Sequence, residues 1–184
     1  MKRILLGAFF IVLPGCSSYL TEKANVTAPN CLGHIDLPQA LVAQFEPIAN
    51  EALLSQALGK PQQGKLCQGR VYQSKKNAHV TIYRAWNSTN PSSKFGQWWS
   101  FFMPSGPISQ YREDYEICYQ WSPLDKMVKC TLKPNTMVVV GNGQSAQCSK
   151  YLSYAASAKV QVYIASASSA IEHCTEYDGV MSWK

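Results

Sequence analysis

The residues with the clearest chemical potential begin with Arg84. It stands near the end of the run "HVTIYRAW" (79–86), in which Val80, Ile82 and Arg84 alternate with Thr81 and Tyr83. A two-residue period is that of a half-buried strand, so the guanidinium falls on the face where a core side chain is expected. A cation in that position is costly unless an anionic group meets it. Its planar fork suits two such groups, the phosphate oxygens of a ligand or an internal carboxylate. Asp114 and Glu116 are the internal candidates. Trp98 and Trp99 of "GQWWSF" offer flat faces on which a ring can stack, but neighbours on a strand point to opposite sides, so one of them belongs to the core. Ser100, next in the chain, can hold a ligand hydroxyl or the neighbouring strand. The polar loop "NGQSAQC" (142–148) is expected to be flexible and to cover a ligand through Gln144. Glu113, Asp114 and Glu116 are spare acids, expected on a short helix and solvated.

These residues need elements to carry them. "IDLPQALVAQFEPIANEALLSQALGKP" (35–61) reads as the helical part. Asp36 can cap it, Pro38 suits a first turn, Pro47 kinks or splits it, and Gly59 with Pro61 stops it. From Lys65 onward the pattern is β. "KLCQGRVYQ" and "HVTIYRAW" are expected to pair around the turn "SKKN", with "QWWSFFM" as a third strand. "SGPISQYREDYEIC" reads as a short helix, "DKMVKCTLKPNTMVVVGNG" as a strand, a turn and a strand, and "KVQVYIA" as a late strand. A short closing strand is expected around Ile171 to Cys174. A helical segment followed mostly by strands argues for an α+β fold, an N-terminal helical segment packed on a small, mainly antiparallel split β-sheet.

The 184 residues suffice for one domain with a core; they are 46% hydrophobic and 15% charged, which excludes a disordered chain. The net charge of +6 comes from scattered basic residues rather than a stripe, so nucleic acid is not an expected partner. The N-terminus has its own character: "MKR", then the ten-residue apolar run "ILLGAFFIVL", then "LPGC" ending at Cys16. The run is too short for a mature membrane span. The ending resembles the lipobox of bacterial lipoproteins, with Pro14 where a small residue is usual. The resemblance implies a signal peptide over 1–15, lipidation at Cys16, a membrane anchor through that lipid, and passage to the outer membrane because Ser17 rather than Asp follows. Residues 16–30 then form a polar tether, and 31–184 a single globular domain. Six cysteines remain: Cys31, Cys67, Cys118, Cys130, Cys148 and Cys174. In an oxidising compartment an even number reads as three disulfides, of fifteen possible connectivities. Nearest-neighbour pairing (31–67, 118–130, 148–174) is the expectation. No C-x-x-C occurs and the three histidines lie far apart, so no metal site is expected.

The order Tyr83-Arg84, Ser100, "LKPNT" (132–136), Gln161 resembles that of the ADP-ribosyltransferase-like superfamily of NAD-binding proteins, over roughly residues 79–165. The family places an arginine at the end of a first core strand, a serine on a second, and a catalytic glutamate on a late strand. This chain departs at the last point, with Gln161 and no acid beside it. Secreted NAD glycohydrolases of the superfamily use a glutamine near this place. The resemblance implies an ADP-ribosyltransferase-like fold with NAD as substrate rather than tightly bound cofactor. It assigns Arg84 and Gln161 as catalytic and Tyr83 and Ser100 as ligand-binding; the flat rings of Trp98 and Trp99 and the polar loop with Gln144 complete the expected ligand-binding set. The alternative is a non-catalytic lipoprotein, a structural or binding module for an envelope or target-cell protein.

Overall fold

The computed structural model describes residues 31–179 and 181. The expected signal peptide, Cys16 and the whole of the expected tether, 16–30, lie outside the described residues. Among those residues no helix is long and apolar enough to cross a membrane.

The fold is α+β and mostly antiparallel. Ten strands are described: β1 (Phe45–Pro47), β2 (Leu66–Ser74), β3 (Val80–Trp86), β4 (Trp98–Trp99), β5 (Lys126–Leu132), β6 (Met137–Gly143), β7 (Ala146–Gln147), β8 (Ser153–Tyr154), β9 (Val160–Tyr163) and β10 (Ile171–Asp178). One sheet runs β1-β2-β6-β9-β4, a second β10-β5-β3, and β7 with β8 makes a small ribbon. Helices α1 (Glu51–Ala57), α2 (Ile108–Asp114) and α3 (Ala167–Ala170) are short.

The expected long N-terminal helix is a correction. Residues Gln39–Gln44 form a 3-10 turn, Phe45–Pro47 join the first sheet against Ser74 to Tyr72, and only Glu51–Ala57 is α-helical. Pro47 has no amide hydrogen, which suits the rim of a sheet. Burying Phe45 against Tyr72 and Phe101 outweighs the weak helical period. Helix α1 starts where Asn50 accepts a hydrogen bond from the Leu53 amide at 2.9 Å.

Strand pairing also differs from the sequence expectation. β2 and β3 do not pair around "SKKN"; β2 pairs with β6, and β3 with β5. β5 and β6, joined by "KPNT", likewise part company. Both turns carry the chain from one sheet to the other. The two sheets share a core in which Val80, Ile82, Val128 and Leu132 face Tyr72, Val138, Val140 and Val162. Alternation along each strand sends the opposite residues outward. Leu53 and Ala57 of α1 cover Val71 and Val139 on the first sheet, and α2 covers Ala85 of β3 through Ile108 and Tyr111.

Three disulfides brace this arrangement: Cys31–Cys67, Cys118–Cys148 and Cys130–Cys174. The first matches the nearest-neighbour expectation. The other two correct it, because Cys118 lies beyond α2 against the β7–β8 ribbon, whereas Cys130 and Cys174 sit on the paired strands β5 and β10.

Candidate functional site

The two sheets meet at one point. Beyond β4, Ser100 exchanges both backbone hydrogen bonds with Tyr83 of β3, at 2.8 and 2.9 Å. The segment 98–100 thus pairs with β9 at its start and β3 at its end. A cleft of ≈ 180 Å³ opens beside this corner. Tyr83 and Arg84 line it from β3, Trp98 and Trp99 from β4, and Gln161 from β9. The far wall is Tyr111, Tyr115 and Glu116 of α2 and the turn after it, with Trp121 and Lys65 also on the lining.

Arg84 meets neither Asp114 nor Glu116. Its Nε donates to the Ser93 carbonyl at 2.8 Å and its Nη1 to the Trp98 carbonyl at 2.6 Å. Gly96 permits this approach, since a methyl there would lie 2.6 Å from the guanidinium carbon. No ion pair among the described residues includes Arg84. Burial lowers its pKa to about 10, opposed by the nearby Tyr111 hydroxyl, so the side chain stays charged at neutral pH. Two backbone carbonyls hold the fork in place, and the rest of it has no described partner.

Glu116 is the functional group that sequence reasoning missed. α2 ends at Asp114, and Glu116 adopts a left-handed backbone (φ 49°). That conformation, uncommon outside glycine, turns the side chain inward to 2% exposure. Its Oε2 accepts a hydrogen bond from Gln161 Nε2 at 2.7 Å, while its Oε1 is buried without a partner. Burial raises its pKa to about 9, against the opposing pull of the Gln161 hydrogen bond, so at neutral pH it is a carboxylic acid. Asp114, two residues earlier, pairs instead with Lys159 at 3.3 Å. The expectation that Glu116 is solvated is therefore corrected. The signal available in the sequence was its place two residues before Cys118, whose bridge to Cys148 pulls the turn against the body of the domain.

The other proposed residues separate into two groups. Trp98 is half-buried and packs on Tyr163 with ring centroids 5.1 Å apart. Trp99 belongs to the main core and donates its indole N–H to the Gly96 carbonyl at 2.7 Å. Ser100 is 1% exposed and does not line the cleft; its Oγ meets the Tyr115 hydroxyl at 3.1 Å and accepts from the Phe102 amide. It therefore positions Tyr115, which does line the cleft. Gln144 lies away from the cleft. Its Nε2 donates to Cys67 Sγ at 3.3 Å and its Oε1 accepts from the Ser145 amide at 2.9 Å. The loop expected to cover a ligand is largely strand and buried: Asn142 donates to the Ala158 carbonyl at 2.8 Å and accepts from Gln68 at 3.0 Å.

Glycine at 143 is required by this packing, because a methyl there would run into the Glu116 carboxyl. Gly143→Ala is expected to cost about 1–3 kcal/mol of stability as an overpacking change. In urea unfolding, combining it with Glu116→Ala should cost clearly less than the sum of the two. Additive losses would show that the two groups do not compete for the same space.

Comparison with known proteins finds no matching family model, no matching curated protein and no matching solved structure.

Proposed function

We propose that this is an exported, lipid-anchored envelope protein whose cleft binds NAD and cleaves its glycosidic bond to nicotinamide. The observation that carries the reading is the convergence of Arg84, Gln161 and the buried acid Glu116 on one aromatic-walled cleft. Export is supported by the "LPGC" ending at Cys16 and by the three disulfides, which belong to an oxidising compartment. The same N-terminal pattern supports an outer-membrane location. The ADP-ribosyltransferase-like resemblance supplies the substrate class.

A cavity of about 150 Å³ takes a benzene ring. The cleft therefore has room for a nicotinamide ring, with the sugar and pyrophosphate in its mouth rather than a whole dinucleotide inside. Trp98 and Tyr83 offer the ring a flat wall. The free part of the Arg84 fork suits a phosphate oxygen. Gln161 spends an N–H on Glu116 and keeps its amide oxygen for a sugar hydroxyl. In the reaction the bond from sugar C1′ to the ring nitrogen breaks, the electron pair stays on nitrogen, and nicotinamide leaves neutral. Water adds to C1′ and gives up a proton.

Incubation of the full-length protein with NAD is expected to release free nicotinamide, detected by chromatography. No release above a Gln161→Ala control would sink the enzymatic reading. A second reading, a protein-binding module, has its own observation: Phe102, Met103, Tyr119, Trp121 and Tyr151 are large apolar side chains left exposed.

A further inference from the structure

The proposed substrate poses an electrostatic problem that the late strand does not solve. The ring of NAD is a pyridinium cation, and the sugar carbon becomes cationic as the ring leaves. β9 supplies only the neutral amide of Gln161. We propose that Glu116, brought from the turn after α2, is the counter-charge of this site, and that it gives up its proton when a cationic flat ring enters. The proposal rests on the NAD reading above and narrows it: the site selects charged N-substituted pyridinium rings over their neutral parents.

Geometry carries it. Glu116 lines the cleft, is 2% exposed, and has Oε1 buried without a hydrogen-bond partner. A buried, unpaired carboxyl oxygen is costly in a folded protein, and a cation held in the cleft that Glu116 lines offsets that cost through its charge. Gln161 holds the other oxygen at 2.7 Å and thereby fixes the carboxyl plane. Around it, Tyr111, Tyr115 and Trp121 give the cation aromatic faces. Asp114, two residues before Glu116, opposes its ionisation and is itself paired to Lys159 of the segment before β9 at 3.3 Å. β6 presents only Gly143, and the nearby Ser157 amide, which favours the ionised form, is donated to the Gly143 carbonyl at 3.2 Å rather than to the carboxyl. Lys65 and Arg84 line the cleft but form no ion pair with the carboxyl, their donors going to the backbone carbonyls of Gln56, Ser93 and Trp98, and Tyr111 and Tyr115 stay neutral because burial raises both hydroxyls.

In the protein alone the acid is held neutral up to about pH 9, so only about one molecule in a hundred is ionised at pH 7. A cation seated against it reverses that preference, because an opposite charge favours the ionised form. During turnover the carboxylate faces the developing sugar cation. It then takes the proton from the attacking water, which restores the neutral acid. Counting the proton lost on binding, the cycle releases one proton per NAD hydrolysed, as the reaction requires.

The test uses the full-length protein and two probes that cannot be cleaved, the N-methylnicotinamide cation and neutral nicotinamide. Titration calorimetry is run in two buffers of different ionisation enthalpy. At pH 7 the cation is expected to release about one proton on binding and nicotinamide none. Affinity for the cation should rise roughly tenfold per pH unit between pH 6 and 8 and level off near pH 9. Glu116→Gln should abolish both the proton release and the pH dependence while nicotinamide still binds, which also shows that the variant is folded. Gln161→Leu, which removes the hydrogen bond favouring the carboxylate, should move the plateau to higher pH. Cation binding that releases no proton, an unchanged pH profile in Glu116→Gln, or no cation binding at pH 9 each overturns the proposal. If proton-coupled binding holds and NAD still yields no nicotinamide, cleavage fails and the Glu116 assignment stands.

Discussion

Glu116→Gln is expected to flatten the pH dependence of folding stability between pH 6 and 8, where the wild-type protein should lose roughly 2–3 kcal/mol. The sign follows from proton counts. A carboxyl whose pKa is raised from 4.5 to about 9 on folding stays protonated in the native chain while the unfolded chain has already ionised. Through that window the native state binds more protons, so stability falls as pH rises, by at most about 1.4 kcal/mol per unit. Below pH 4.5 the effect vanishes, and above pH 9 the full loss is present. Other shifted groups do not obscure it: Arg84 titrates at about 10, Tyr111 and Tyr115 are pushed upward from the ordinary tyrosine value, and Asp125 is lowered. Glutamine at 116 keeps an oxygen for Gln161 Nε2 but has no proton to lose. The comparison is therefore of slopes, from urea unfolding of both proteins at pH 6 and pH 8, and not of absolute stability. Parallel slopes would mean that Glu116 is ionised in the native protein.

What the sequence made legible follows from the range of the forces involved. β3 and β9 were readable because period-two alternation records which residues face the core, a local property of each strand; β5 and β6 were readable as apolar runs on either side of a turn. Their partners were not readable. The turns "SKKN" and "KPNT" look like hairpin turns, yet both connect different sheets. Nothing local distinguishes a turn that folds back from one that crosses over. The 35–61 segment misled because Leu37, Leu41 and Phe45 sit at helical spacing. The contacts of Phe45 with Tyr72 and Phe101 are long-range. For the site, Tyr83, Arg84, Trp98, Trp99 and Gln161 do converge on one cleft. Ser100 stands behind Tyr115, and Gln144 is tied into the Cys31–Cys67 corner. Glu116 was hidden for a definite reason: its burial depends on one positive φ and on a disulfide thirty residues apart in sequence. Neither leaves a period in the residues nearby.

Arg84→Ala is expected to weaken NAD binding about 100-fold while leaving the affinity for nicotinamide alone within about twofold. The asymmetry is the point. A charged, bidentate hydrogen bond to phosphate contributes roughly 1.5–3 kcal/mol, and nicotinamide carries no phosphate to receive it. Stability will also fall, because the Ser93 and Trp98 carbonyls lose their donor, and each stranded carbonyl costs about 1–3 kcal/mol if water does not reach it. Arg84→Lys separates the two roles. A lysine keeps the charge but lacks the planar fork, so it cannot hold two carbonyls and a phosphate together. It should restore part of the stability and little of the NAD affinity. Quenching of the intrinsic tryptophan fluorescence reads binding directly, since Trp98, Trp99 and Trp121 all line the cleft. Equal losses for NAD and nicotinamide would make Arg84 a brace for the 93–98 loop and nothing more. A loss confined to NAD would identify a guanidinium that the fold anchors by its carbonyl contacts so that its remaining donors face the mouth of the cleft. That division of one side chain between backbone and ligand explains why no carboxylate partner is needed for a charge buried at the end of a strand.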